Sequence, residues 1–404
     1  MSNFDEIKSS ILRQGIINTH AHHLNDSEAK DMNLTRLFEN SYVAWCGEPI
    51  PSSSHAVDPW LAKIENRSFY VSLSRSLRQL YSMEESLTGA TWDEYNRRVV
   101  QAHENPRWHL EIMQNVCGYQ TVVQDSYWSP GCNNGYPEFF KPAFRINYFL
   151  WGYNQQAGDH NGHNAQVMYG RHIDDIKTYT DFMYRAIKEK KESGACALKS
   201  AIAYDRTIEI RPATSAEAQS AMGLGTSEPS AESVRKFQDY IFDTICDIAA
   251  ELKMPMQIHT GLGLMLGTNP MQLQPLIARH PKTTFVLMHG GYPWLDDLCG
   301  LVHYYPNVAV DLCWVPLISP SMAVRFLHEL LEICNGDKIV WGCDTWTGEE
   351  SWGALLTMAD VLSTVLDEKV NAGKLSKSSA LRLAEGIMRN NAKLWFALFP
   401  PSRQ

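Results

Sequence analysis

Long apolar runs are absent from this 404-residue chain. No uninterrupted hydrophobic stretch approaches the roughly 18–20 residues that a membrane-spanning helix needs, so no membrane partner is expected. Basic blocks are absent too. The longest cationic cluster is KEKK at 188–191 and the net charge is −9, which argues against the basic stripe of a nucleic-acid-binding protein. Paired-cysteine motifs are missing: the nine cysteines are scattered, odd in number and never spaced C-x-x-C. That pattern argues for reduced thiols in a cytoplasmic setting and against a disulfide framework. The opening MSNFDEIKSSILRQG has charges throughout and no apolar core, so it is not expected to be a signal peptide. Repeats and low-complexity tracts are also lacking. With 44% hydrophobic and 20% charged residues, what is left is an ordinary folded enzyme composition, and barrels of this length often form a single unit.

What is present is alternation. Short apolar, β-rich runs separated by helical patterns imply a parallel sheet. They fall at 15–20, 119–125, 143–151, 194–200, 254–260, 283–290, 307–314 and 338–344. A helix beginning near Ser230 repeats Val234, Phe237, Ile241, Ile245, Ile248 and Leu252 at spacings of three to four. Eight strands with intervening helices predict one TIM (β/α)8 barrel over 1–404, whose active site lies at the strands' C-terminal ends. Residues 24–118 read as a helical insertion between the first two strands. It sits on the catalytic face and is expected to act as a lid or as part of the substrate pocket. Thr91 and Glu94 predict a capping box at the start of one of its helices. The polar segment 207–233 reads as a mobile loop, and 350–400 as helices packing on the barrel.

The polar residues cluster where a barrel keeps its chemistry. His20 and His22 end the first strand and, two apart, share a face, whereas His23 points away. Lys199 ends the fourth strand, His259 the fifth, His289 the sixth and Asp344 the eighth. Each such group, once buried, must be hydrogen-bonded or liganded. A divalent metal meets that demand, with His and Asp as ligands and Asp344 also able to act as general base and then acid on a metal-activated water. Zinc is the first expectation; manganese and iron suit the same ligands.

These motifs, NTHAHH, ALKSAIAYDR, MQIHTGLG, VLMHGGYPW and VWGCDTW, resemble the amidohydrolase superfamily in type and order. The segments NPMQLQPLIARHPKTTFVLMHGGYPW and NNAKLWF are most similar to its amidohydrolase-2 branch. Within that branch the chain resembles the amidohydrolase-like domain found fused to glutamine-synthetase-like domains, and more distantly uronate isomerase. The resemblance implies a hydrolase acting on an amide, isopeptide, ester or lactone bond of a small, carboxylate-bearing molecule, with Asp344, His259 and His289 catalytic. It also allows a non-hydrolytic isomerase or decarboxylase, or a silent binding protein.

In the two-metal form that the resemblance implies, a carbamylated Lys199 bridges the ions. His20, His22 and Asp344 bind one, and His259 and His289 the other. The one-metal form keeps Lys199 as a charged amine for a substrate carboxylate. Tyr204 and Arg206, an aromatic-then-basic pair, are implied carboxylate binders. Arg145, odd in an apolar strand, either forms an ion pair inside the barrel or anchors an anionic substrate. Tyr292, Trp294 and Trp346 are expected to line the pocket. Cys343 faces the opposite side from Asp344, towards the core, and a homo-oligomer is expected.

Overall fold

The computed structural model describes residues 2–223, 228–396 and 398. Eight strands form one sheet in sequential order: β1 Ile16–Ala21, β2 Tyr119–Gln124, β3 Phe140–Arg145, β4 Ala197–Ser200, β5 Met256–Ile258, β6 Phe285–Leu287, β7 Val308–Asp311 and β8 Ile339–Val340. All seven successive pairings are parallel. Backbone bonds then link the first and last strands: Thr19 N to Trp341 O, Asp344 N to His20 O and His22 N to Thr345 O. The expected TIM barrel is therefore what the chain forms.

The barrel interior is filled by small and β-branched residues, one from nearly every strand. Ile17, Val123, Ala143, Ala197, Val286, Ala309 and Val340 make one buried cluster, closed at the far end by Ala392 and Phe396. The latter two belong to the helix Asn391–Phe396, the end of the predicted C-terminal helices. In β1 the pairing register shifts between Asn18 and Ala21. A shift of that kind resets the side-chain alternation, so Ile17 joins the interior cluster while His20 and His22 still reach the catalytic end. Gly342 is required here, because a Cβ at that position would collide with His20.

Helices Leu34–Glu39, Val57–Ile64, Ser68–Leu80, Trp92–Ala102 and Trp108–Glu111 fill the interval between β1 and β2. They bury a core of their own around Leu37, Phe38, Trp60, Leu73, Leu77 and Trp92. Several local expectations need correction. The third strand runs from Phe140 to Arg145, and residues 147–151 form a 3-10 turn, so Arg145 ends its strand. Thr91 precedes its helix in helical backbone and makes no cap bond. Its hydroxyl donates to Ser86 O and accepts from Thr88 N, while Glu94 pairs with Arg97 and Arg98. The segment 207–233 contains a capped helix, Ser215–Gln219, and its residues 224–227 lie outside the described residues. No helix among the described residues is long and apolar enough to cross a membrane.

Candidate metal centre

Short strands place the polar residues at the barrel mouth rather than within the ladder. His259 directly follows β5, His289 comes two residues after β6, and Asp344 four after β8. His289, Trp314 and Asp344 all have positive φ (62°, 66° and 57°). Left-handed backbone is costly for such residues and collects at functional sites. Here it turns three consecutive strand ends towards one point.

At that point His20 Nε2 and His22 Nε2 each lie 3.2 Å from Asp344 Oδ1, and His289 Nδ1 lies 3.3 Å from Asp344 Oδ2. All four side chains are at most 7% exposed. Asp344 Oδ1 and His289 Nε2 have no hydrogen-bond partner despite full burial. His22 is oriented by its other nitrogen, with Nδ1 2.8 Å from Asp125 O; metal-binding histidines are held in this way. Burial pushes the His20 and His259 imidazoles down to about 3, which keeps both neutral. Burial opposes ionisation of Asp344, yet the surrounding imidazoles hold its carboxyl well below the usual carboxylate range. Neutral imidazoles around a carboxylate are the deprotonated donor set that a divalent cation requires. The residues present therefore fit the metal that the sequence motifs imply.

The remaining residues divide into those the structure brings to this point and those it does not. Lys199 Nζ is 3.4 Å from His20 Nε2 and 3.7 Å from Asp125, and donates to Met288 Sδ. His259 packs against His289, with ring centroids 4.3 Å apart, and against Tyr204 at 4.6 Å. Arg145 holds Asp125 in a two-pronged ion pair, through Nε at 3.0 Å and Nη2 at 2.7 Å. Its buried Nη1 has no partner. Both functions considered for Arg145 thus have a geometric basis.

His20, His22, Arg145, Lys199, Tyr204, His259, His289 and Asp344 line one small, tightly closed cavity, together with Tyr42, Trp45, Tyr127 and Ala201. Trp346 packs behind this lining, 5.7 Å from the His22 ring and 4.7 Å from Tyr42. Arg206 and Tyr292 are not brought to the cavity wall. The Arg206 guanidinium is committed to Asp239 at 2.7 Å, to Gln238 and to Glu209 O. Tyr292 is half-buried against the apolar core, in a cis peptide with Pro293. His23 and Cys343 face away as expected, each within reach of the Ser351 hydroxyl.

Sequence reasoning missed four contributors. Tyr127 stacks on His22 and lies over the Arg145 guanidinium, and only its place just after the second strand hinted at it. Tyr42 and Trp45 come from the insertion, where no local pattern marks them. Cys313 Sγ lies 3.3 Å from His289 Nδ1; its place at the end of the seventh strand was the available signal.

Residues 197–392 match the family model described as Amidohydrolase. That span contains Lys199, His259, His289 and Asp344, while His20 and His22 precede it. Protein fluG of Emericella nidulans is 29% identical over 225 residues, which is 50% of this chain and 26% of that protein. The chain thus matches about a quarter of that relative's length. Among solved structures, uronate isomerase from Thermotoga maritima superposes with a TM-score of 0.77 at 14% identity, covering 98% of this chain and 97% of that one. Glucuronate isomerase from Caulobacter crescentus also gives 0.77, at 15% identity, covering 99% and 95%. At such identities the likeness is one of fold.

Proposed function

On the premise that this barrel is a relative of the amidohydrolase superfamily, which its sequence motifs and the match over residues 197–392 support, we propose that it is a metal-dependent hydrolase. Its substrate in this reading is an amide, isopeptide, ester or lactone of a small, carboxylate-bearing molecule. The observation that carries the reading is the convergence of His20 Nε2 and His22 Nε2 on Asp344 Oδ1, each 3.2 Å from it. His20, His22 and Asp344 would hold one divalent ion, zinc first, and Lys199, His259 and His289 stand ready for a second. When bound there, the ion would supply Lewis-acid chemistry.

This chain's own residues do the rest. Asp344 accepts the proton of the attacking water and returns it to the leaving group. With one ion only, whichever of His259 and His289 is not a ligand would face the developing oxyanion. The free Nη1 of Arg145 receives the substrate carboxylate, for which planar guanidinium geometry is suited, and Tyr204 closes that side of the cavity. Tyr42 and Trp45, from the insertion, form the outer wall, which supports a substrate-pocket function for residues 24–118.

Lys199 is crowded against His20. An ammonium there would repel a cation on His20, whereas a carbamate would supply two anionic oxygens. We therefore assign Lys199 as carbamylated in the loaded enzyme.

The test is a substrate screen with zinc-reconstituted protein. The panel comprises γ-glutamyl amides, N-acyl amino acids, lactones and uronic acids, with Asp344→Asn as the control. Hydrolysis of a carboxylate-bearing amide or lactone, lost in Asp344→Asn, is the expected result. Isomerisation of a uronic acid, or well-folded protein that binds no divalent ion, would overturn the assignment.

A further inference from the structure

We infer that Glu350 is the positioning residue that sets the aromatic wall of the cavity, and through it the protein's affinity for its substrate. The inference rests on the hydrolase reading for its kinetic consequence only. Glu350 lies in the first turn of the helix Gly348–Asn371, and its backbone N–H is already capped by Thr347 Oγ1. In a capping box its carboxylate would turn back to the N-cap backbone. Instead it spans two distant segments. Oε1 accepts from Tyr42 N at 2.6 Å, across 308 positions of sequence, and Oε2 accepts from Trp346 N at 3.3 Å.

The two backbone groups belong to residues whose rings meet edge to face at 4.7 Å. Trp346 then approaches His22 at 5.7 Å, while Tyr42 stacks at 5.1 Å on Trp314, itself 5.5 Å from His289. One carboxyl, 4% exposed, thus fixes a wall that approaches His22 through Trp346 and His289 through Trp314. It also fixes where the insertion enters the cavity, because the 3-10 turn Tyr42–Cys46 carries both Tyr42 and Trp45. Among the described residues no other side chain accepts from Tyr42 N: the neighbouring Ser41 hydroxyl serves Val43 N.

Glu350→Met keeps the side chain's length and apolar volume but removes both acceptors, and Glu350→Gln keeps one acceptor for Tyr42 N. In Glu350→Met, amide hydrogen exchange at residues 42–46 should quicken by about tenfold or more, with the barrel strands protected as before. On the most active compound of the screen, KM should rise by about fivefold with kcat and bound zinc within about twofold, and Glu350→Gln should stay near the parent on every readout.

Unchanged exchange at 42–46, or uniform loss of protection across the barrel, overturns the inference. A fall in kcat at constant KM does the same. If no compound is turned over, the hydrolase reading fails alone, and exchange in the two variants still decides the position of the wall.

Discussion

Lys199 and Arg206 lie seven residues apart in the same βα connection, and the structure gives them opposite surroundings. Lys199 points into the barrel mouth between His20 and Asp125. If it carries a carbamate there, native mass spectrometry of freshly purified, metal-loaded protein should show the mass of one added CO2. Lys199→Ala should lose both the adduct and about half of the bound metal. Arg206 turns outwards to the helix Ala231–Leu252, where it neutralises Asp239, a carboxylate only 1% exposed. Arg206→Ala should therefore destabilise the fold by roughly 2–4 kcal/mol, because Asp239 would lose its closest partner, while KM changes by less than about twofold. Urea unfolding and steady-state kinetics on the same protein separate these outcomes. The proposed ligand residues could be read from the chain because each lies within an apolar strand or no more than four residues past its end. Arg206 lies six residues past the strand, beyond the 3-10 turn Ile202–Tyr204, where sequence spacing does not determine which way a side chain leaves the backbone.

The first turn of the helix Gly348–Asn371 shows how one element joins the insertion to the barrel. Besides Glu350, it presents Glu349, which accepts from Tyr81 at 2.6 Å and lies 2.8 Å from His103 Nε2, both within the insertion. Burial opposes ionisation of Glu349, but His103 and Tyr81 hold its carboxyl below the usual range. Among the described residues Glu350 has no cationic partner, and burial pushes it up to about 8, against the two backbone N–H groups that favour its charged form. A carboxyl whose folded pKa is raised contributes stability that is complete below its unfolded value of 4.5. That contribution is lost as pH rises through about 8. Glu350→Gln cannot titrate, so its stability relative to the parent should improve between pH 4.5 and pH 8 by roughly 2–4 kcal/mol, as read by urea midpoints across that range. At this scale the eight strands were legible from their apolar runs, but their limits were not. The last strand pairs over two residues only, and the flanking apolar residues are buried by packing rather than by the ladder. The Glu349 and Glu350 contacts were not legible at all, since they join residues some 250–310 positions apart.

At the scale of the molecule, the short-laddered seam between β8 and β1 is also where the proposed metal ligands concentrate. β8 contributes two ladder residues, and the join to β1 rests on a few backbone bonds. It is reinforced by Asp311, which accepts from Thr19 at 2.6 Å and from Gly342 N at 3.0 Å. His20 and His22 lie on the β1 side of the seam and Asp344 on the β8 side, so an ion shared among them would bridge the first and last strands, some 320 residues apart. A ligand that binds only the folded state stabilises it in proportion to the logarithm of one plus its free concentration divided by Kd, about 2.7 kcal/mol at one hundred times Kd. Chelating the metal should therefore lower Tm by several degrees. Hydrogen exchange should rise first at residues 16–22 and 339–345, ahead of β4 and β5 on the opposite side of the barrel. His20→Ala should reproduce the exchange pattern of the chelated protein, lose metal and turnover, and stay folded, because the interior cluster around Ile17 and Val340 does not depend on that imidazole. A His20→Ala protein that kept its metal and its activity would remove the basis for placing the centre at this seam.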